Sequence, residues 1–189
     1  MTLNEILTQR RAYRSLESSE ITPDIINHLA QAAQIMPSCF NNQPWRFVFV
    51  KDNPKLQNLK DDALSKGNIW AQPASMIIVV FSKADLDCVI KDREYYLFDV
   101  GMATAAIILR ATEIGLVAHP IAGYAPEKVR EIVQIPDEYK IVTLVIIGKK
   151  KTNFSDYISE DQKEREENRP PRLKIDEFTF LNQFSPKNQ

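Results

Sequence analysis

The sequence has few of the residues on which common nucleotide-binding and catalytic motifs depend. Its five glycines stand singly, at positions 67, 101, 115, 123 and 148, so it contains neither a GxGxxG nor a GxxxxGK(S/T) phosphate-binding stretch. His28 and His119 are the only histidines, which disfavours a histidine-rich metal site and a Ser-His-Asp triad. Any nucleotide that the chain binds must therefore be held by another kind of loop.

Cysteine, net charge and long apolar runs are also scarce. Cys39 and Cys88 form no CxxC pair, and residues 1–6 do not resemble a signal peptide, so we expect free thiols in a reducing cytoplasm. The apolar runs fall far short of the ~20 residues that a membrane-spanning helix needs, which predicts no membrane partner. The formal net charge of −1 offers no broad basic surface for nucleic acid. The 189 residues suit a single domain with one core.

Apolar periodicity predicts helices and strands in imperfect alternation. Thr2 and Glu5 fit a capping box that opens a short helix. Helices are predicted over residues 3–12, 23–35, 92–114 and 126–133, with a weaker one around 56–64. Strands are predicted over residues 45–51, 75–81 and 140–148, and residues 117–122 suit a short strand or a loop. This order predicts an α+β fold in which helices flank a mostly antiparallel or mixed sheet.

The C-terminal part differs in composition from the rest. Eleven of the twenty-two residues from 151 to 172 are charged, so residues 150–172 are predicted to be a solvated, charged excursion within a single domain of residues 1–189. Residues 175–184, IDEFTFLNQF, regain an alternation that is typical of a strand. A tail with five apolar or aromatic positions should dock on another surface.

Two segments could bind a ligand. Arg10, Arg11 and Arg14, the arginine segment, end the first predicted helix, with Arg10 and Arg14 on one face. They suit either a solvated basic helix end, which complements the helix dipole, or an anion clamp, because guanidinium forks match phosphate oxygens.

The second segment is PSCFNNQPW, residues 37–45, which we call the amide loop. Asn41, Asn42 and Gln43 each offer a hydrogen-bond donor and an acceptor, which suits the edge of a heterocycle with alternating carbonyls and ring nitrogens. An ordinary turn that ends a helix explains the same residues equally well.

Together these segments resemble the nitroreductase family of FMN enzymes. The family's typical APSxxNxQPW segment is similar to MPSCFNNQPW, residues 36–45, and FDVGMATAAIILRATEIGL leads into HPIAGY further on. The resemblance runs from Leu7 to about Phe178. It implies a four- or five-stranded, largely antiparallel sheet flanked by helices. It also implies an intertwined homodimer with FMN at the interface, in which the tail, residues 173–184, joins the sheet of the partner subunit.

The resemblance also implies which residues contact FMN. At the phosphate it implies Arg10, Arg11, Arg14 and Arg172; along the ring and ribityl chain, Pro37, Ser38 and Asn41; near N5, Pro120, Ile121, Ala122 and Gly123. Gln43 and Asn68 are further candidates, Gln43 with a structural role as its alternative. Ala12 and Ala122 depart from the pattern, because the family usually has a serine and several members a glutamate at these positions.

The implied activity is a ping-pong transfer of electrons from NAD(P)H, through the flavin, to a nitroaromatic, quinone or flavin acceptor. No side chain need act as a nucleophile, so neither a catalytic residue nor a metal is expected. The segment between Phe81 and the 92–114 helix is short for the family, so the substrate pocket should be open or differently roofed. Its candidate walls are Trp70, Tyr95, Tyr96 and Phe98.

Two alternatives to this activity remain open. One is a flavoenzyme of the same fold with other chemistry, such as reductive dehalogenation or flavin fragmentation. The other is a flavin-binding protein without catalysis, for storage or sensing.

Overall fold

The computed structural model describes residues 1–185, and the chain divides into two compact units, Met1–Ile158 and Ser159–Gln189. The first unit is built on a five-stranded antiparallel sheet. Its strands are β1 (Leu16–Glu17), β2 (Arg46–Val50), β3 (Met76–Ser82), β6 (Val117–Ile121) and β7 (Lys140–Lys150). A separate two-stranded hairpin consists of β4 (Val89–Ile90) and β5 (Arg93–Glu94). The fold is therefore α+β with an antiparallel sheet, as the sequence predicts.

The order of the long strands follows from the pairing of β7. Residues 144–147 of β7 pair with both β3 and β6, so β3 and β6 must flank β7 on opposite sides. Because β2 pairs with β3, the order across the sheet is β6–β7–β3–β2, and the two-residue β1 pairs with the C-terminal end of β7. Ile121, Leu144, Val79 and Val48 lie in one row across these four strands. At about 4.8 Å per strand, Ile121 and Val48 are roughly 14 Å apart.

Five helices belong to the first unit: α1 (Leu3–Gln9), α2 (Pro23–Gln34), α3 (Lys55–Asn58), α4 (Tyr96–Glu113) and α5 (Pro126–Val133). A π-helical turn over Leu59–Ala63 follows α3, and 3-10 turns cover Cys39–Asn41, Lys66–Ala71 and Ala84–Leu86. The predicted capping box at Thr2 and Glu5 is present, and the Thr22 hydroxyl caps α2. None of the described helices combines the length and apolar character that crossing a lipid bilayer requires.

Two apolar cores cover the two faces of the sheet. Successive side chains of a strand point to opposite faces, so Ile77 and Val79 of β3 join one core and Ile78 and Val80 join the other. The first core contains Leu59, Trp70 and Val129, whereas the second contains residues of α2 and α4. A strand buried on both faces needs a continuous apolar run, which explains the sequence SMIIVVF.

Three boundaries differ from the sequence prediction. Helix α1 ends at Gln9, not at residue 12, so Arg10 and Arg14 do not share a helix face. Helix α4 begins at Tyr96, not at residue 92, because residues 89–94 form the β4–β5 hairpin. The predicted strand in the tail is also wrong, because Ile175–Phe178 form a helical turn, α7.

The second unit contains one further helix within the predicted charged excursion. Helix α6 (Glu160–Glu167) opens with a capping box between Ser159 and Gln162. Ion pairs link Lys163 to Glu160 and Arg165 to Asp161 along its surface. A capping box and two ion pairs, one at i, i+3 and one at i, i+4 spacing, thus support a helix that has almost no apolar face.

Candidate functional site

The amide loop has an unusual backbone. Phe40, Asn41 and Gln43 adopt left-handed φ angles of 48°, 59° and 50°. Non-glycine residues seldom adopt this region, and its strain persists only where surrounding contacts impose it. Phe40 is also 85% exposed, so its own burial does not stabilise this conformation. Such clustered strain is typical of ligand-binding segments.

Hydrogen bonds hold the strained loop in place. The Ser38 hydroxyl accepts a bond from the Gln43 amide at 2.9 Å, which leaves its own proton for a ligand. The Asn41 amide donates to the Ser38 carbonyl at 3.0 Å, while the Asn41 side chain is exposed. The Cys39 amide donates to Asp99 Oδ2 at 2.7 Å, which ties the loop to the first turn of α4.

The two cysteines are paired, which corrects the expectation of free thiols. Cys39 and Cys88 form a disulfide with their Cα atoms 6.2 Å apart, a separation ordinary for such a bond. The segment before the β4–β5 hairpin brings Cys88 to the amide loop. Cys88 also accepts a bond from the Tyr95 amide through its carbonyl at 3.2 Å, so the loop is joined to the start of α4 as well.

Asp99 is a buried carboxyl group beneath the amide loop, only 1% exposed. Burial raises its pKa, the Cys39 amide bond opposes that shift, and the neighbouring Asp87 carboxyl raises the pKa further. Sequence reasoning missed this residue. Its signal was a lone acidic residue on the buried face of an otherwise apolar helix.

A second group of predicted residues is assembled around Trp70. The Arg14 guanidinium lies 5.9 Å from the centre of the Trp70 ring, and the His119 ring stacks on Trp70 with the ring centres 4.5 Å apart. Trp70 Nε1 donates to Asn68 Oδ1 at 3.0 Å, and Asn68 Nδ2 donates to the Gly123 carbonyl at 2.8 Å. Arg14, Asn68 and Gly123 are thus linked although they lie far apart in the sequence.

Gly123 is needed for this close approach. A Cβ atom at this position would lie 2.5 Å from Ser65 Oγ and 2.7 Å from Asn68 Nδ2, both too short. The Ser65 amide also donates to the Gly123 carbonyl at 3.0 Å. Ser65 was not predicted, because nothing in the sequence connects it to Gly123. The preceding residues differ in access: Pro120 and Ala122 are exposed, whereas Ile121 belongs to the core and offers a ligand only its backbone.

Basic side chains gather near Tyr13. The Arg11 guanidinium lies 5.1 Å from the centre of the Tyr13 ring, and Lys150 Nζ lies 4.5 Å from it. Arg10, Arg11 and Arg14 are half-buried, unlike a freely solvated helix end. Lys150 joins this group through the end of β7 and was missed, because its place in the sheet depends on pairing. Arg172 is exposed in the second unit.

Two of the four predicted pocket walls are in a position to line a cavity. Tyr95 and Phe98 contact each other edge to face and border a cavity of about 350 Å³ together with Arg93 and Glu94. Trp70 is 1% and Tyr96 5% exposed, and neither borders this cavity. Both residues are packing residues whose rings face the interior.

The predicted contacts therefore fall into two groups at opposite edges of the sheet. The Arg14–Gly123 group lies beyond the end of β6, and the amide loop precedes β2. Both are at the same end of the sheet, because Ile121 and Val48 share one row, and strands β6 and β2 are three strand spacings apart in that row, about 14 Å.

Comparisons with known proteins point to one family. A sequence model of the Nitroreductase family matches residues 7–149. A protein of Archaeoglobus fulgidus, provisionally named an NADH dehydrogenase/NAD(P)H nitroreductase, is 25% identical over 162 residues, which cover 84% of this chain and 91% of that protein. An iodotyrosine deiodinase of Haliscomenobacter hydrossis is 26% identical over 76% of this chain and 77% of its own length. A solved oxidoreductase containing FMN is 25% identical with a TM-score of 0.82, and the match covers 99% of this chain and 95% of that one.

Proposed function

Because the chain belongs to the nitroreductase family, we propose that it is an FMN-dependent oxidoreductase that transfers electrons from NAD(P)H to a small-molecule acceptor. The contact of Gly123 with Ser65 and Asn68 carries this proposal. A single Cβ would fill the space at this contact, and Trp70 connects it to the Arg14 guanidinium. A flat, anionic cofactor needs both features: backbone that approaches closely and a cation for its phosphate.

The arginine segment and Lys150 would hold the phosphate. Guanidinium groups donate paired, charge-assisted hydrogen bonds to phosphate oxygens, and Arg14 is oriented by its contact with Trp70. Arg172 is a further candidate for this role. Pro120, Ile121, Ala122 and Gly123 would supply backbone along the reducible face of the ring. When bound, FMN supplies the redox chemistry by accepting hydride at N5 and passing on two electrons.

The amide loop would cover the flavin of a second copy of the chain. Gly123 follows β6 and the amide loop precedes β2, and these strands are about 14 Å apart across the sheet, which disfavours one isoalloxazine ring that contacts both in the same chain. A homodimer resolves this, since the loop with Pro37, Ser38, Asn41 and Gln43 then closes the site of the other subunit. The tail, residues 173–184, fits such a dimer because its apolar side chains are exposed: Leu173, Ile175, Phe178, Phe180, Leu181 and Phe184.

The acceptor would enter beside Tyr95 and Phe98. Their cavity is open, so NAD(P)H and a nitroaromatic, quinone or flavin acceptor would occupy it in turn, which is a ping-pong mechanism. Reductive dehalogenation is the second candidate, because the chain is similar to an iodotyrosine deiodinase. Anaerobic turnover with iodotyrosine instead of menadione, a quinone, would favour this candidate. A bound flavin that NADH and NADPH fail to bleach would favour a binding protein without catalysis.

The test is to measure the affinity of FMN and of riboflavin for Arg14→Ala by flavin fluorescence quenching. Loss of a charge-assisted bond of about 1.5–3 kcal/mol should weaken FMN binding roughly tenfold to a hundredfold. Riboflavin lacks the phosphate, so its affinity should stay that of the wild type. Arg14→Lys should recover part of the FMN affinity, because an ammonium keeps the charge but not the fork.

The matched control is Arg165→Ala, which removes an exposed arginine of α6 and should leave both affinities unchanged. Equal losses for FMN and riboflavin in Arg14→Ala would indicate a folding defect and contradict the phosphate role. A wild-type protein that is colourless and takes up no added FMN would refute the proposed function.

A further inference from the structure

The disulfide lies within a cluster of groups that can bind a metal. The Sγ atoms of Cys39 and Cys88 and a carboxylate oxygen of Asp87 all lie within 4.8 Å of one another. All three residues are half-buried. They come from two separate segments, the 3-10 turn of the amide loop and the residues before β4, so the fold and not local sequence brings them together.

Asp87 adds a second carboxyl group beside the buried Asp99. Asp87 Oδ1 accepts hydrogen bonds from the Cys88 amide at 2.8 Å and from Asn42 Nδ2 at 3.3 Å. Asp87 Oδ2 is buried and accepts no bond from an amide or cationic donor of the described residues, and the neighbour of the Asp87 carboxyl group is a second carboxyl group, that of Asp99, to which it is hydrogen-bonded. Adjacent carboxylates repel each other, and a cation bound beside them relieves that repulsion. Neither Asp87 nor Asp99 has an ion pair among residues 1–185.

We propose that Cys39, Cys88 and Asp87 form a binding site for a thiophilic divalent cation of the zinc class when the cysteines are reduced, and that the disulfide is the cation-free, oxidised form. Two thiolates and a carboxylate are a ligand set that Zn²⁺ accepts, and no histidine is required. Zn–S bonds of about 2.3 Å in a tetrahedral site place the two sulfurs roughly 3.8 Å apart. Cysteines whose Cα atoms are 6.2 Å apart can reach that separation with little backbone movement.

The two forms interconvert by balanced steps. A dithiol reductant gives two electrons and two protons to the S–S bond and itself becomes a cyclic disulfide, which leaves two thiols. The cation then binds and displaces both thiol protons. A hydroperoxide reverses these steps by taking two electrons from the thiolates and two protons from solvent. The S–S bond forms and the cation leaves, while the O–O bond of the hydroperoxide breaks to give an alcohol and water.

The proposed site would secure the amide loop in both forms. Either a disulfide or a bridging cation holds Cys39 against Cys88, next to the left-handed residues Phe40 and Asn41. Reduced protein without a cation is then the form in which the loop loses this link. The proposed cation site consists of the chain's own residues and does not depend on which cofactor the loop covers.

The experiment is an anaerobic titration of the reduced, full-length protein with Co²⁺, followed by Zn²⁺. Reduced wild type should bind one Co²⁺ per chain with thiolate-to-cobalt charge-transfer bands, and Zn²⁺ should displace it. Protein oxidised to the disulfide should show no such bands. Cys39→Ser and Cys88→Ser should lose the bands, and Asp87→Asn should weaken Co²⁺ binding at least about tenfold.

Asp85→Asn is the matched control, because Asp85 is an exposed aspartate of the adjacent 3-10 turn, paired with Lys83, and its loss should not alter the affinity. Asp87→Asn keeps both cysteines and nearly the same shape, so it tests the site even if the serine variants do not fold. Reduced wild type without thiolate bands, or Asp87→Asn with unchanged affinity, would overturn the proposal.

Discussion

Replacing Gly123 with alanine tests the Ser65–Asn68–Gly123 contact directly. The added Cβ would lie 2.5 Å from Ser65 Oγ and 2.7 Å from Asn68 Nδ2, so at least one of these side chains must move. If Asn68 moves, its 2.8 Å bond to the Gly123 carbonyl is lost, and so is the acceptor of Trp70 Nε1 at 3.0 Å. Trp70 is 1% exposed, so water cannot easily replace that acceptor.

The expected cost follows from these losses. One hydrogen bond contributes about 0.5–1.5 kcal/mol, and two bonds of Asn68 are at stake. Crowding adds less than it would in a packed core, because Ser65 Oγ and Asn68 Nδ2 are the ends of side chains and Ser65 is exposed. We therefore expect Gly123→Ala to lower the free energy of unfolding by about 1–3 kcal/mol. FMN affinity should fall at least tenfold, because about 1.4 kcal/mol of lost contact already has that effect.

Two further variants make the measurement specific. Ser65→Ala combined with Gly123→Ala removes the shortest contact but keeps the Ser65 backbone bond, so part of the stability should return. Gly67→Ala adds a Cβ that meets nothing within 4 Å in the same 3-10 segment, so it should be neutral. Urea unfolding and flavin quenching would supply the values. A Gly123→Ala protein with the stability and FMN affinity of wild type would refute the steric reasoning.

Two predictions concern other parts of the chain. Ending the chain after Arg172 removes the exposed apolar tail, so the proposed dimer should dissociate and release flavin, as size-exclusion chromatography with light scattering would show. Ending the chain after Phe184 keeps the tail and should leave the dimer intact. A chain that ends after Arg172 but stays dimeric and yellow would contradict the docking role of the tail. Lys60 is 9% exposed and donates to the Ala74 carbonyl at 2.7 Å, and burial lowers its pKa from 10.5. Between the lowered pKa of Lys60 in the folded chain and 10.5, the unfolded chain binds more protons than the folded chain does. The free energy of unfolding therefore rises with pH in this range. In urea unfolding at several pH values, Lys60→Met should lack this rise in the free energy of unfolding, whereas Lys66→Met, at an exposed lysine, should keep it. If stability rises equally with pH in both variants, Lys60 is not the source of the rise.

The sequence predicted the elements that local forces determine. Strand β3 is a continuous apolar run because both of its faces are buried, and helices α2 and α5 begin with proline at their first residue. The β4–β5 hairpin was missed, because strands of two residues are too short to show a period. The alternation in the tail suggested a strand, yet residues 175–178 form a helical turn, since a short apolar pattern does not distinguish the two.

The site was predicted only as separate segments. Motif resemblance identified Arg14, Asn68 and Gly123 singly, but their connection runs through Trp70, whose role depends on its tertiary position. The pairing of Cys39 with Cys88 spans 49 residues and was equally invisible to spacing. Contacts between distant segments arise from sheet register and packing, and a single sequence does not encode them in any local pattern.

The proline of β6 makes the two edges of the sheet chemically unequal. The Ser75 amide bonds the Ile147 carbonyl, so odd-numbered residues at this end of β7 direct their backbone groups to β3 and even-numbered ones to β6. Pro120 lies opposite Val145, so its own backbone nitrogen points away from β7 and carries no hydrogen. An additional strand that pairs with the outer edge of β6 would therefore find no backbone N–H donor at Pro120. Strand β2, Arg46–Val50, contains no proline, so every residue at its edge has a backbone N–H. Pairing with a further strand, in a specific complex or in an aggregate, is therefore directed to β2.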